Sequence, residues 1–336
     1  MDALKIVGLG LFAACLLRVI PTAAGADTSK SDSAATFYAP AIETLAGDLA
    51  HDYVFPDIGH QYAALLQANL EKGAYRGITD PVTIGQHLTD DLRALHMDLH
   101  LRVRPVPGTK AAPSPAQARP PIEGAAWLAP GIAYIRFNLF PGTPKSVAAT
   151  DKFMRDHASA KAIIIDARHN HGGGGDEMNV MLPYLFGKRT VPVDMELARD
   201  TAKAMGFAED RFFHRVPAPE GHIRFEQVIE PSPTEHRLFA AKVYYLTSLD
   251  TGSAAEALAF IFKITHRATL VGERTRGMGH FGSFVEIGQG LECFMPVGRT
   301  FDPATGADWE GTGVTPDVVV PPDQALDAAV KMAQRA

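Results

Sequence analysis

The sequence predicts a layered α/β domain preceded by a small N-terminal helical bundle. Three observations predict it. Short, almost wholly apolar runs such as Ala162-Ile163-Ile164-Ile165-Asp166 and Lys242-Val243-Tyr244-Tyr245-Leu246 suit strands buried on both faces. Segments with helical spacing separate those runs, which is the alternation of a sheet covered by helices. Ahead of them, residues 37–96 carry three apolar stripes at helical spacing.

The elements follow in order. Residues 1–26 read as a secretory signal: Lys5, then Ile6 to Ile20 apolar except for Arg18, then the small residues Ala24-Gly25-Ala26 before a cleavage point. The uninterrupted apolar run is short for a membrane span. Phe12-Ala13-Ala14-Cys15 faintly resembles a lipobox, but apolar residues continue after Cys15, so cleavage after Ala26 fits better than lipid anchoring at Cys15. A periplasmic or secreted protein is expected, with a mature form that does not span the membrane. Residues 27–104 are expected to form the helical domain, with stripes at Ile42/Leu45/Leu49, Tyr62/Leu65/Leu66/Leu70 and Ile84/Leu88/Leu92/Leu95. Asp80-Pro81 supplies an N-cap and first-turn proline for the third helix. Residues 105–123, rich in Pro, Ala and Ser, read as a linker.

Residues 124–336 are assigned to the α/β core. Its expected elements are a strand at 132–137, a helix at 146–157, a strand at 162–166 and a helix at 176–186. A strand at 242–246, a helix at 254–264 and a strand at 268–271 follow. Segments 284–287, 291–296 and 318–320 are expected to extend the sheet, and 325–332 to close the chain as a helix. Residues 190–240 lack a strong period and are expected to be irregular, with one or two strands.

Composition narrows the function classes. The 336 residues are 46% hydrophobic and carry a formal charge of −6. The mean hydropathy of −0.02 and pI near 6.1 suit a globular protein and give no reason to propose nucleic acid as a partner. There are two cysteines, Cys15 and Cys293. Loss of the signal leaves Cys293 alone, which excludes an intramolecular disulfide and a cysteine-rich metal site. Cys293 is expected in a buried strand.

The most chemically suggestive segment is Thr247 to Glu256, which joins a strand to a helix. Ser253 at that turn would hold its hydroxyl outward beside the amides of a helix N-terminus. Its alternative role is an N-cap. Gly172 to Gly175 could bring backbone amides to a developing oxyanion, cradle an anion, or form a turn without a ligand. No Gly-Lys-Ser/Thr ending supports a phosphate loop. His100 is a candidate base or a satisfied boundary histidine. With His96 it lacks the His-Glu-x-x-His pattern and third ligand of a zinc site. His169, His171, His266 and His280 are further candidates. Glu310, in Asp308 to Asp317, could orient an imidazole or belong to a capped turn. Asp166 and Arg168 suit a local ion pair.

Taken together, four stretches in order resemble the tail-specific or C-terminal-processing serine peptidases, family S41, in the branch of the interphotoreceptor retinoid-binding protein modules. They are Asp98 to Val103, Asp166 to Gly173, Thr247 to Glu256, and Trp309 to Asp317. Tyr53-Val54-Phe55-Pro56 and Gly272-Glu273-Arg274-Thr275 agree with them. The resemblance implies a crotonase- or ClpP-like core after the helical domain, without a PDZ domain. It implies a triad of Ser253 as nucleophile, His100 as base and Glu310 as orienting carboxylate. The oxyanion would be held by amides of Gly172 or Gly173 and of Ala254. It implies neither metal nor organic cofactor. Members with a Ser-Lys dyad carry a lysine near 272–279, where this chain has Met278. The expected partner is a peptide or unfolded protein. The alternative is a non-catalytic module binding a small apolar ligand or peptide.

Overall fold

Proline stands in the first turn of each of the three N-terminal helices, where its missing N–H costs nothing and its fixed φ favours the helix. These are α1 (Ala39–Asp52), α2 (Pro56–Glu71) and α3 (Pro81–Leu95), followed by strand β1 (Arg102–Pro105). They come from a computed structural model that describes residues 37–108 and 119–335. The proposed signal at 1–26 and the middle of the expected linker, 109–118, lie outside the described residues.

The chain then continues through β2 (Ile122–Ala129), β3 (Ile132–Phe137), α4 (Pro144–Asp156), β4 (Ala162–Asp166), α5 (Asp176–Leu185) and β5 (Asp194–Ala198). Next come α6 (Arg199–Ala204), β6 (Phe213–Val216), β7 (His222–Gln227), β8 (Lys242–Thr247), α7 (Ala254–Thr265) and β9 (Thr269–Gly272). The last elements are β10 (His280–Gly288), β11 (Leu291–Phe301), β12 (Val318–Val319) and α8 (Ala325–Arg335).

Two compact units result. One holds the described residues 37–108 together with 281–298, and the other holds 119–280 with 299–335. This division differs from the expected core at 124–336, because 281–298 group with the helices. In that helical unit Gly59 lets α1 and α2 approach closely: a Cβ there would stand 2.2 Å from the Leu49 carbonyl oxygen. Gly85 does the same between α3 and β1, with a hypothetical Cβ 2.8 Å from the Val103 oxygen. Ile42, Leu45, Leu49, Tyr62, Leu66, Ile84, Leu88 and Leu92 are buried as the stripes predict, whereas Leu95, in the last turn of α3, is exposed. β1 pairs antiparallel with β11, from Arg102 opposite Phe294 to Pro105 opposite Leu291, and β10 pairs with β11 as well. Strands β10 and β11 were expected to extend the core sheet. Their pairing with each other and with β1 sets them apart from it.

The other unit is built on a sheet ordered β12-β9-β8-β4-β3-β2, parallel except for the antiparallel edge strand β2. Both faces are covered, as in most parallel sheets. Ile163, Ile165, Val243 and Tyr245 face a core shared with Phe153 and Met154 of α4, Met181 and Leu182 of α5, and Leu258 and Phe262 of α7. Their sequence neighbours Ala162, Ile164, Tyr244 and Leu246 face a second core closed by Ala325 and Ala329 of α8. Residues 190–240 are more regular than expected. They hold α6 and the antiparallel run β5-β7-β6. None of the helices among the described residues is long and apolar enough to cross a membrane.

Candidate active site

Ser253 stands where β8 turns into α7, with φ 55° and ψ −124°. A residue with a Cβ adopts positive φ at a cost of about 1–3 kcal/mol, so the surrounding contacts must impose it. They are visible. The Ser253 amide donates to Glu256 Oε2 at 2.8 Å, and the Gly252 amide to the Asn170 carbonyl at 3.0 Å. Glu256 is fully buried and also accepts from Gly277 N and Thr275 Oγ1 at 2.6 Å on Oε1, and from Met278 N at 2.8 Å on Oε2. Burial raises its pKa, and those four donors offset part of the rise. One carboxylate thus ties the serine turn to the 275–278 loop. The sequence carried the signal for it, a Ser-x-x-Glu pattern at a helix start, and Glu256 was not singled out.

The glycine loop lies against this turn. A Cβ on Gly172 would sit 2.6 Å from Ser253 Cβ, 2.8 Å from the Gly252 oxygen and 3.0 Å from Ala254 N, so only glycine fits there. Gly172 has φ +101° and Gly173 φ +122°. The Gly172 amide donates to Asn170 Oδ1 at 2.9 Å. Gly173 and Ala254 donate their amides to no group among the described residues. Loop 172–174 is stitched to Phe140, which donates to the Gly172 oxygen at 2.8 Å and accepts from Gly174 N at 2.7 Å.

Glu310 reaches the far end of the 275–280 segment. Its Oε2 accepts from Gly279 N at 2.5 Å and His280 N at 3.1 Å, and Trp309 Nε1 donates to the Met278 oxygen at 3.1 Å. The His280 ring is buried with Nδ1 3.9 Å from Glu310 Oε2. Ser253, through Glu256, and Glu310 are thus both tied to the 275–280 stretch, and they belong with Gly172, Gly173 and Ala254 to one unit. His280 joins them, a residue that nothing in its local sequence distinguished from the other histidines.

His100 belongs to the helical unit, in a segment held with equal care. Asp98 is buried. Its Oδ1 accepts from the His100 and Leu101 amides at 2.9 and 3.1 Å, and its Oδ2 from the Tyr53 hydroxyl at 3.0 Å. Arg93 Nε donates to the carbonyls of Asp98 and Leu101 at 3.1 and 3.0 Å, and Nη2 to that of Leu99 at 2.8 Å. The buried imidazole stacks on Phe294, ring centres 4.9 Å apart at 19°. Burial, then the charges of Arg104 and Arg93, lower Arg102 to about 10.

Asp166 and Arg168 form the expected local pair. Arg168 Nε and Nη2 reach the two carboxylate oxygens at 2.9 and 2.7 Å, and Tyr134 and Arg136 also donate to Oδ2. Cys293 is buried in β11, and burial raises its thiol far above the usual range.

Two family models cover most of the described chain. Residues 131–320 match that of peptidase family S41, and residues 36–129 match the N-terminal domain of S41 peptidases in eukaryotic interphotoreceptor retinoid-binding protein. The chain belongs to peptidase family S41. A relative of this S41 chain is the chloroplastic C-terminal processing peptidase of Tetradesmus obliquus. It is 26% identical over 207 residues, covering 59% of this chain and 38% of the relative. The S41 chain thus spans well under half the length of that curated relative. Among solved structures, a lipoprotein of Streptococcus agalactiae superimposes with a TM-score of 0.57 at 14% identity, over 88% of this chain and 95% of the other. A candidate peptidase of Parabacteroides merdae gives 0.55 at 16% identity, over 88% and 96%. Both likenesses concern the fold.

Proposed function

We propose that this chain is a serine peptidase hydrolysing peptide bonds in peptides or unfolded protein, with Ser253 as nucleophile, His100 as general base and Glu310 as orienting carboxylate. The observation that carries the reading is the Ser253 turn: a strained serine against a glycine loop, with the unengaged amides of Gly173 and Ala254 available as donors. Family membership supports the same reading.

Ser253 Oγ attacks the peptide carbonyl carbon as His100 takes its proton. The carbonyl oxygen becomes an oxyanion, stabilised by amides of Gly173 and Ala254. Gly172 contributes chiefly by its missing side chain, since its own amide is engaged by Asn170. The C–N bond then breaks, and the leaving amine takes the proton from His100. Water attacks the acyl-enzyme, its proton passes through His100 to Ser253, and the new carboxyl group leaves.

A second assignment of the base rests on a specific observation: His280 is buried within 3.9 Å of Glu310 and belongs to the same unit as Ser253. Under that reading His280→Ala, and not His100→Ala, removes turnover.

The deciding experiment is intact-mass labelling with a fluorophosphonate. A single adduct on the wild type that is absent from Ser253→Ala supports an activated Ser253. An unlabelled, folded wild type at pH 6 to 9 overturns the enzyme reading and leaves the apolar-ligand module as the alternative. We also read residues 1–26 as a removed export signal, for which the mass of periplasmic protein should begin at Asp27.

A further inference from the structure

Two acids follow the glycine loop at the start of α5, and they differ sharply in their surroundings. Glu177 is fully buried and accepts the Gly142 amide at 3.0 and 3.3 Å on its two oxygens. That bond ties it to the segment beside Phe140, and its role is structural. Asp176 is only 8% exposed, and its Oδ2 is buried with no hydrogen-bond partner among the described residues. No Lys or Arg among the described residues pairs with it. Burial raises its pKa, and the one charge that acts on it, Asp210, has the same sign and pushes further in that direction. Asp210 is itself occupied, with Oδ1 accepting the Phe212 and Phe213 amides at 2.7 and 2.8 Å.

A buried carboxylate without a partner is strongly disfavoured when ionised, and a cationic ligand brought against it removes that cost. The helix N-terminus favours the ionised form once a countercharge arrives. Position supplies the rest. Gly172 touches Ser253, and Asp176 lies four residues further along, within about 14 Å even if that chain were fully extended. A chain that is not fully extended brings Asp176 closer than that bound, into the neighbourhood of the bond that Ser253 would attack.

We propose that Asp176 is a specificity-determining residue that receives a cationic side chain, lysine or arginine, of the substrate near the scissile bond. The inference rests on the peptidase reading for where the substrate lies, and it names the substrate class of that site. The substrate cation replaces the missing hydrogen-bond donor and offsets the like charge of Asp210. A neutral side chain of equal length leaves the carboxylate buried and unpaired.

The test uses matched fluorogenic peptides that differ only in lysine, arginine, norleucine or citrulline at one position, scanned on both sides of the scissile bond. Wild-type protein should favour the cationic member at one position by about 10- to 100-fold in kcat/KM. Asp176→Asn should bring that ratio near one while keeping fluorophosphonate labelling of Ser253. Equal rates for cationic and neutral peptides at every position, or a preference that survives Asp176→Asn, overturns the proposal. Binding of the same peptides to Ser253→Ala, with and without Asp176→Asn, gives a readout that does not require turnover. There a cation preference that vanishes with Asp176→Asn supports the assignment, and no preference refutes it. Failure of the peptidase reading shows itself separately, as an unlabelled Ser253.

Discussion

Glu256 accepts the backbone amide of Ser253 at 2.8 Å and, through the same carboxylate, three donors of the 275–278 loop. Its carboxylate meets Ser253 at the backbone amide, which fixes the turn and leaves the carboxylate outside any proton transfer at the hydroxyl. Its replacement should therefore misplace Ser253 and also leave several buried donors unsatisfied. Glu256→Ala should lower the unfolding free energy by about 3–5 kcal/mol, because a buried charge network loses its centre. Urea titration measures that loss. The fluorophosphonate rate should fall together with it, and a variant of wild-type stability and labelling rate would refute the role.

Ser253 itself carries the opposite signature. Its φ of 55° suits glycine better than any residue with a side chain. Ser253→Gly should raise stability by about 1 kcal/mol while abolishing labelling. Paired thermal melts of Ser253→Gly and Ser253→Ala separate relief of strain from loss of the hydroxyl, since only the glycine variant relieves the backbone.

The Gly172 position leaves no room for a methyl group. Gly172→Ala would force the loop away from Ser253 Cβ and the Gly252 oxygen, both backbone-fixed neighbours at under 3 Å from the new atom. A shift of about 1 Å at the reacting centre costs roughly 100-fold. Labelling of a folded Gly172→Ala protein should fall by that order, and an unchanged rate would show that the loop does not shape the site.

Arg93 holds three carbonyls of the His100 segment, those of Asp98, Leu99 and Leu101. Arg93→Ala removes those charge-assisted bonds and should cost about 3 kcal/mol. Hydrogen exchange in residues 98–101 should speed up, and the rise of labelling rate on the acidic side of the pH profile should shift or flatten if His100 is the base. Exchange in 98–101 that matches wild type would contradict the assignment.

The Asp166 carboxylate gives a pH prediction with a definite sign. Burial raises its pKa, but hydrogen bonds and charge from Arg168, with Tyr134 and Arg136, outweigh that and leave the folded value below the usual one. The group therefore adds stability above about pH 4, and the gain is lost as pH falls through the depressed folded value. Urea midpoints of wild type should drop across that acid window. Asp166→Asn should be less stable at pH 7 and show a weaker acid decline, and parallel pH curves for the two proteins would exclude the linkage.

Much of the fold was legible because local periodicity decides it. The limits of β4 match the expected 162–166, α7 runs one residue further than expected, and β9 is shifted by one residue at both ends. β2 was missed. It carries the apolar run Ala125-Ala126-Trp127-Leu128-Ala129, but alanine and glycine are weak strand formers and most of its residues are exposed at the sheet edge, so its sequence does not resemble that of a buried strand. The placement of β10 and β11 escaped for another reason. Strand pairing between β1 and β11 joins residues nearly two hundred positions apart, and no local pattern reports a partner at that distance. At the site, Ser253 and the glycine loop stood out through their turn chemistry. Asp176 and His280 did not, because burial without a protein partner and proximity to Glu310 are properties of the folded chain alone.

The helical unit borrows residues 281–298 from the far side of the core sequence, and β1 is laddered to β11 across that return. The unit is thus fastened to the rest of the polypeptide at three points rather than one. A gene truncated to begin at residue 124 would remove β1 and leave the stretch of β11 from Leu291 to Phe294 without that partner. Any attempt to express the unit that holds Ser253 alone would have to supply a partner for that stretch of β11, which β1 provides in the full chain.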